Sequence, residues 1–405
     1  MLQKVLFRFC CIYFGLYFLP LPLGFLWDPA VHWTGRHILH LGSAITVKPN
    51  GSGDTTYNYV QVLVMVLVSL AGCLVWSLAD HKRASYRRLK YWLMVYLRYS
   101  LAIALMSYGF YKIFKSQFPF PSLIRLLEPY GQSSPMGLAW TFMGYSTAFN
   151  FFTGFFEALG GFLLFFRRTT LLGACIAVGV MGNVVMMNFC YDIPVKLYSS
   201  NLLLAAIFIL LQDFPRLTRL FILNRTAPPA DIRPVFTRSW SRWTRIVLKG
   251  LLILLFLYRN ISGGWQGLQQ YGDNRQRPPL YGIYEVETFV RGRDTLPPLL
   301  TDTLRWRRLI IDYPGYATVQ RMDERGSVYY GFRPDTLQKT VLLFSNPDTA
   351  TKYRFRYECP DSARLVLRGK LREDSLEIMM RRKKPDEFLL VNRGFHWINE
   401  YPFNR

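Results

Sequence analysis

Residues 147–166 have the sequence TAFNFFTGFFEALGGFLLFF, and this stretch decides the fold. It is apolar for the length of a membrane-spanning helix, because about 20 such residues cross a hydrocarbon core of about 30 Å. Its single charged residue is Glu157. A carboxylate at mid-membrane costs roughly 2.5–3.5 kcal/mol on insertion scales, so Glu157 is not expected to face lipid. We predict a spanning helix that turns Glu157 into a helix bundle.

Three further apolar runs surround this stretch, at 91–114, 169–190 and 197–212. In the first, Arg98, Tyr108 and Lys112 lie at i, i+10 and i+14, close to one face of a helix with 3.6 residues per turn. Asn150 precedes Glu157 by seven residues and shares its face. We therefore expect Glu157 to pair with Lys112 or with Arg98 inside a four-helix bundle.

Polar residues also interrupt the later runs. Asn183 and Asn188 lie within 169–190, and Asp192 follows in a short hairpin that ends at Lys196. Asp192 and Lys196 would be either interface residues or the rim of a site on the same side as Lys112. Ionisable residues inside a membrane mark functional sites by default, although a pair that only fixes helix register remains open. The candidate ligand-binding residues are Arg98, Tyr108, Lys112, Asn150, Glu157, Asn183, Asn188 and Asp192.

These residues carry a resemblance. Arg98, the GFYK of 109–112, the EALGG of 157–161 and the Arg167-Arg168 pair together resemble the DoxX family of small four-helix membrane proteins. The resemblance spans residues 91–213 and implies a four-helix fold. The family includes a subunit linked to thiosulfate:quinone oxidoreduction, so the resemblance also implies a quinone near Lys112 and Glu157 and a partner redox subunit. It assigns no catalytic residue.

A second function is compatible with the same residues. The chain would then be a non-enzymatic membrane protein whose bundle and outer β domain bind a lipid-like ligand or a partner protein. Either function requires only an apolar slot with a few hydrogen-bonding side chains. Recovery of a quinone or of a lipid from the purified protein distinguishes the two.

Composition agrees with a polytopic membrane protein. The chain has 405 residues, 51% of them hydrophobic and 16% aromatic, gathered in long runs between basic loops. The net charge of +23 invites a nucleic-acid partner, but residues 1–274 hold 25 of the 49 Lys and Arg and only 9 of the 26 Asp and Glu. These cations lie in short loops beside apolar runs, as the positive-inside rule requires. We predict a lipid bilayer as partner and no nucleic acid.

The order of basic and neutral loops predicts the topology. Basic loops at 80–90, 167–168 and 213–245 alternate with loops poorer in charge. By the positive-inside rule this pattern predicts a protein of the bacterial plasma membrane with its N-terminus in the cytoplasm. About seven spanning helices result, the weakest at 246–258, and the C-terminal domain then lies outside the cytoplasm. The predicted divisions are two helices and an outer loop at 1–90, the bundle at 91–213, a basic loop and last helix at 214–262, a linker at 263–279 and a β domain at 280–405.

Two loops, 28–58 and 115–146, are predicted on the outer side of the membrane. The first loop follows a spanning helix within 1–27, and its end is expected to cap a second spanning helix at 59–79. The long loop at 115–146 is expected to hold short helices at 123–127 and 136–143. This loop either covers an opening between the helices or serves as a connector.

From residue 280 onward the period of the hydrophobic pattern changes to two. Tyr353, Phe355 and Tyr357 alternate with Lys352 and Arg354, which is typical of a half-buried strand. The predicted strands are 281–290, 304–312, 317–322, 328–332, 338–344, 352–357, 363–371, 375–381 and 388–391. Turn signals every eight to twelve residues favour a small antiparallel barrel or sandwich.

The role of the β domain stays open at this stage. It either gates a cavity at Lys112 and Glu157 or is a tethered soluble module. The terminal stretch RGFHWINE, 393–400, would line a pocket, or His396 and Trp397 would plug the barrel end.

Familiar cofactor and catalytic motifs are absent from the sequence. It has no phosphate-binding glycine loop, nucleophile elbow, HExxH or haem or iron–sulfur cysteine pattern. Its six cysteines form no Cys-x-x-Cys pair. His32, His37 and His40 do not match known ligand spacing, so we predict no metal.

Overall fold

Two compact units make up the protein. The computed structural model describes residues 2–19, 24–42, 45, 51–229, 239–323, 326–345, 352–371 and 374–404. The helical unit comprises Met1–Phe120 with Ser134–Asn274, and the β unit comprises Pro121–Ser133 with Arg275–Arg405. A segment from the middle of the helical sequence therefore belongs to the β unit, which the domain boundaries predicted from sequence did not foresee.

The helices follow the apolar runs of the sequence. In chain order they are α1 Leu2–Tyr17, α2 Gly24–His37, α3 Thr56–Ala79, α4 Arg87–Ile113, α5 Leu123–Leu127, α6 Pro135–Tyr145, α7 Thr147–Leu164, α8 Thr170–Cys190, α9 Lys196–Leu211, α10 Phe214–Leu217, α11 Ser239–Gln270 and α12 Leu389–Asn392. Side-chain caps fix several starts, as predicted. Thr55 and Asn58 form a reciprocal capping box at α3, and Ser134 accepts from the Gly137 N–H at α6.

Five helices of the described residues are long and apolar enough to cross a membrane, judged by length and composition: α3, α4, α7, α8 and Trp243–Gln270 of α11. Lys196–Leu211 and Phe214–Ile222, bent by 67°, make a sixth if they count as one span. The expected count was about seven. The difference is α1, whose 16 residues span only about 24 Å at 1.5 Å per residue.

Three predicted boundaries differ from the structure. The first apolar run does not form one helix, because α1 ends at Tyr17 and α2 begins at Gly24. Most of α2 lies in the stretch 28–58 that was predicted to be a loop. The stretch predicted as a linker, 263–279, is helical through Gln270, so α11 runs well beyond the predicted 246–258.

The core of the helical unit is centred on α4. Leu97, Leu101 and Leu105, at i, i+4 and i+8, are almost fully buried in a cluster that draws on α1, α3, α7, α8 and α9. Burying one such leucine contributes roughly 1.5–3 kcal/mol. The central position of α4 explains why its polar residues, unlike those of an outer helix, have to find partners inside the unit.

The β unit is a closed antiparallel barrel of eight strands with one short extra strand. Its strands are β1 Gly282–Arg291, β2 Asp294–Thr295, β3 Trp306–Ile311, β4 Tyr316–Arg321, β5 Ser327–Asp335, β6 Thr340–Ser345, β7 Lys352–Glu358, β8 Arg364–Leu371 and β9 Asp374–Lys383. Neighbours in sequence pair in order from β3 to β9, β1 pairs β3, and β1 also pairs β9, which closes the barrel. Of the two predicted architectures, an antiparallel barrel or a sandwich, the barrel is the one present.

Side chains fill the barrel interior. Phe289, Trp306, Phe332, Leu343 and Phe355 are each at most 2% exposed and belong to one apolar cluster. An eight-stranded barrel is just wide enough for its own side chains or one small ligand. Here the side chains occupy it.

Two predictions for the C-terminal region are wrong. Residues 388–391 do not form a strand, because Leu389–Asn392 is a short helix. Trp397 does not plug the barrel, since it is 90% exposed, and His396 is also exposed. Arg305 is one of the polar residues buried within the barrel unit, where it donates to the carbonyl oxygens of four residues: Val286, Glu287, Leu296 and Trp306.

The inserted segment packs on the outside of the barrel. Leu123 of α5 joins Ile283 and Ile310 in a small buried cluster. The buried Asp312 carboxylate accepts from the Leu123 N–H at 2.8 Å and from the Arg275 guanidinium at 2.5 Å. Part of the 115–146 loop is therefore a structural component of the barrel unit, and whether the barrel gates the helices stays a prediction.

Candidate functional site

Glycines bring α4 and α7 into close contact. A Cβ atom on Gly109 would lie 2.6 Å from the Gly154 carbonyl oxygen, and one on Gly154 would lie 2.8 Å from the Lys112 Cβ. A Cβ on Gly161 would lie 2.8 Å from the Ala102 carbonyl oxygen. Small residues allow helix backbones to approach this closely. Gly109 and Gly161, two glycines of the predicted motif, are therefore required for the close packing of α4 on α7. This packing sets the distance between the charged side chains of the two helices.

Lys112 and Glu157 form an ion pair across this interface. Lys112 Nζ donates to Glu157 Oε2, and the two side chains are only 8% and 3% exposed. On α7, Glu157 lies on the inward face with Asn150, Gly154 and Gly161. The predicted pairing of Glu157 with one of the two cations is confirmed, and the partner is Lys112.

Arg98, the other predicted partner, has a different role. Its Nε and Nη2 atoms donate to the Leu164 carbonyl oxygen at 2.9 and 2.7 Å, and the residue is 5% exposed. Leu164 is the last residue of α7, where carbonyls lack intrahelical partners. Arg98 therefore caps α7 and does not reach Glu157.

A cavity of about 780 Å³ lies in the helical unit beside the ion pair. Residues of α4, α6, α7, α8 and α9 line it, and aromatic rings such as Trp140, Phe152 and Phe156 form much of its wall. Lys112 and Glu157 are the charged residues of that wall. The cavity has the size and the mainly apolar lining typical of small-molecule sites, which measure about 300–1,000 Å³.

Five of the eight predicted residues come together in this wall. Tyr108, Lys112, Glu157, Asn183 and Asn188 all line the cavity. Their roles in ligand binding stay predictions.

The other three residues lie elsewhere. Arg98 caps α7. Asn150 is fully buried and donates to the Phe118 carbonyl oxygen at 2.9 Å, outside the cavity wall. Asp192 is exposed and pairs with Lys196 at 2.8 Å. The inward face of α4 therefore carries both Arg98, which is structural, and Lys112, which lines the cavity. Helical periodicity places both on this face and does not show which of them lines a cavity.

Sequence reasoning did not select several polar residues of the wall, among them Gln117, Tyr198 and Ser199. Ser199 accepts a 2.8 Å hydrogen bond from Asn188 Nδ2 and joins α8 to α9. The Tyr198 ring lies 6.1 Å from the Tyr108 ring. Gln117 carried no periodic signal because it follows the end of α4. The only local indication that Gln117 belongs to a site was a polar side chain directly after the apolar run of α4.

The wall offers both hydrogen-bond donors and acceptors but no net charge. The Lys112 ammonium group has three N–H donors, and one of them donates to the Glu157 carboxylate. The remaining donors and the carboxylate can meet an oxygen or a hydroxyl of a bound molecule. Among the described residues, no group of three or more His, Cys, Asp or Glu side chains is placed to hold a metal ion.

Comparison with known proteins adds little to this geometry. No family model matches the chain, and no solved structure matches it. The chain is similar to the "Uncharacterized protein YwoB" of Bacillus subtilis (strain 168), with 37% identity over 101 residues. That region is 25% of this chain and 63% of YwoB, so the chain spans less than two thirds of this relative.

Proposed function

We propose that the helical unit is an intramembrane binding module for a mainly apolar small molecule with a polar end group. The quinones implied by the DoxX resemblance are the ligand class we favour. The observation that supports this proposal is the cavity of about 780 Å³ with the buried Lys112–Glu157 pair in its wall. A charged pair in a cavity wall differs from a pair that only joins two helices, because a bound molecule can form hydrogen bonds with it.

The residues of the wall would act as follows. Lys112 would donate a hydrogen bond to a ligand oxygen, while Glu157 holds the ammonium group in place and keeps the site neutral. Tyr108 lies one turn before Lys112 on the same face of α4 and would contact the same end of the ligand. A bound quinone would supply two-electron redox chemistry, for which a partner redox subunit is also needed.

A lipid-like ligand without redox activity is the second candidate. The aromatic and apolar wall supports it, because dispersion contacts favour an acyl chain as well as an isoprenoid chain. The protein would then be a non-enzymatic membrane protein. Identifying the bound molecule separates the two functions.

The experiment is solvent extraction of the full-length protein, purified in mild detergent, followed by mass spectrometry. We expect about one quinone per chain from the wild type and much less from Glu157→Gln. Asp192→Asn is the matched control, since it makes the same carboxylate-to-amide change away from the cavity and should retain the ligand. A lipid that is retained by the wild type and lost from Glu157→Gln favours the second candidate. Equal recovery from all three proteins contradicts both.

A further inference from the structure

Leu337 is the most exposed large apolar side chain among the described residues of the barrel unit. It is 95% exposed and lies in the turn between β5 and β6. Asp335 fixes this turn, because one oxygen of its carboxylate accepts from the N–H groups of Leu337 and Gln338, both at 2.9 Å. Single apolar residues on a protein surface are common. The charged residues around the turn therefore decide whether Leu337 has a role.

Exposed cations surround this turn. Lys339 is its last residue, and Arg356 lies on the neighbouring strand, opposite Thr340. The Tyr357 N–H donates to the Lys339 carbonyl oxygen at 2.8 Å, which holds the turn against β7. Arg354 shares the outer face of β7 with Arg356, because alternate residues of a strand point to the same side. All three cations are exposed, and none of them forms an ion pair with a described residue.

Cations also face each other across the neighbouring strands. Arg356 of β7 is directly opposite Arg368 of β8, and Arg364 of β8 is directly opposite Arg381 of β9. Like charges directly opposite each other on two strands are destabilising. Arg368 pairs with Glu358 at 2.9 Å, whereas Arg356 and Arg364 form no ion pair in the described parts of the chain. An arrangement that costs stability needs another reason, and attraction of an anionic partner is one.

The turn that carries Leu337 lies at the end of the barrel where the chain enters. The first strand begins at Gly282, which pairs with Ile311 at the end of β3. Because the strands are antiparallel and pair in order from β3 onward, the turns that follow β3, β5 and β7 all lie at this end. Only residues 271–281 separate the barrel from α11, a candidate membrane span that ends at Gln270. The end with the exposed leucine and cations is therefore the one joined in sequence to that span.

We propose that this end of the barrel docks on a bilayer surface that contains anionic lipid. Leu337 enters the interfacial region, and Lys339, Arg354 and Arg356 bind the phosphate groups of the lipids. Arginine suits phosphate because its planar fork can donate two parallel hydrogen bonds. Each cation close to an anionic bilayer strengthens the attachment by about fivefold. The inference does not depend on which molecule the helical cavity binds.

The test is photo-cross-linking of the full-length protein reconstituted into vesicles. The photoreactive residue p-benzoyl-phenylalanine replaces Gln338, next to Leu337, and lipid attached to the protein is measured by mass spectrometry. Vesicles of phosphatidylcholine alone are compared with vesicles that also contain phosphatidylglycerol. We expect at least about fivefold more attached lipid with phosphatidylglycerol. High salt should remove this gain, because it screens charges at the surface.

A second position and three variants locate the contact. The same photoreactive residue in place of Tyr329, which is 57% exposed near the other end of β5, should show no gain. Lys339→Gln/Arg356→Gln should remove most of the gain, and Leu337→Ser should lower attachment in both kinds of vesicle. Arg293→Gln/Arg321→Gln is the matched control, because it removes the same charge from the opposite end of the barrel. It should keep the gain.

Four results would overturn the proposal. Equal attachment with and without phosphatidylglycerol excludes recognition of anionic lipid, and no attached lipid at position 338 excludes docking on a bilayer and leaves a protein as the partner of this end. Attachment at position 329 as strong as at 338 shows that lipid contact is not confined to the Leu337 turn. A gain that Arg293→Gln/Arg321→Gln removes as fully as Lys339→Gln/Arg356→Gln depends on total charge and not on these residues.

Discussion

Arg98 and Lys112 are two buried cations on the same helix, and both bind α7, yet the molecule uses them differently. Arg98 donates two hydrogen bonds to the Leu164 carbonyl oxygen at the end of α7. Lys112 pairs with the Glu157 carboxylate and also lines a cavity. The partner and the adjacent void, more than burial itself, distinguish a structural charge from a candidate site.

Elementary electrostatics explains the difference. The C-terminus of a helix has unpaired carbonyls and about half a negative charge, so a guanidinium group there is stabilised without a carboxylate. Arginine suits this position because its planar fork can make two hydrogen bonds to one oxygen. Lysine carries a compact charge with three N–H donors, and Lys112 lines the cavity as well as pairing with Glu157. A buried cation in an apolar helix is therefore an ambiguous signal until its acceptor is known.

The largest effect is expected from breaking the ion pair on one side. Lys112→Met leaves Glu157 buried without its countercharge, which should cost about 3–5 kcal/mol of unfolding free energy. The double variant Lys112→Met/Glu157→Leu removes both charges and should recover most of this loss. Unfolding of all three proteins in the same detergent measures the difference. A double variant as unstable as Lys112→Met alone would show that the loss comes from packing and not from the charge.

Removing the helix cap should have a smaller effect. Arg98→Met leaves the Leu164 carbonyl oxygen without these donors, and an unsatisfied buried acceptor costs about 1–3 kcal/mol. Ligand retention, measured by the extraction experiment, should stay unchanged once the protein is folded. Arg98→Lys restores a donor and should recover part of the stability. Loss of ligand from Arg98→Met at wild-type stability would place Arg98 in the site after all.

The ion pair was predictable from sequence, but its cation was not. The cost of a lone carboxylate in an apolar run required a partner for Glu157, and helical periodicity placed two cations on one face of α4. Helical periodicity shows which face of α4 a residue lies on. It does not show which residue of α7 that side chain will meet. Arg98 and Lys112 are 14 residues apart, about 21 Å along the axis, and only the packing of α4 on α7 decides which one meets Glu157.

Other differences arise from contacts that are distant in sequence. Leu123 belongs to the barrel unit because its N–H binds Asp312, 189 residues away, and no local pattern reports such a contact. Gly263 and Gly264 indicated a linker, yet α11 continues through both, and Gly264 faces the Phe114 ring at close range. Local patterns served the barrel better: burial alternates along strands such as β7 and β9, and eight of the nine predicted strands are present.

The smallest effect is expected at Asp192, a predicted site residue that the structure places outside the cavity. Its side chain is 86% exposed and pairs with Lys196 at i, i+4, and such pairs contribute about 0.3–0.5 kcal/mol. Its φ of 51° lies in the left-handed region, which asparagine tolerates. Asp192→Asn should therefore change the unfolding free energy by less than about 0.5 kcal/mol and leave ligand recovery unchanged.

A neighbouring carboxylate provides the contrast for this last prediction. Asp54 accepts from the N–H groups of Lys196 and Leu197 at 2.7 and 3.0 Å, at the start of α9. Losing a carboxylate that satisfies such N–H groups costs about 0.5–2 kcal/mol. Asp54→Ala should thus be clearly more destabilising than Asp192→Asn in the same unfolding assay. If Asp192→Asn were the more damaging change, or if it released the ligand, the hairpin after α8 would be part of the site, because neither its exposed ion pair nor its backbone conformation accounts for such a loss.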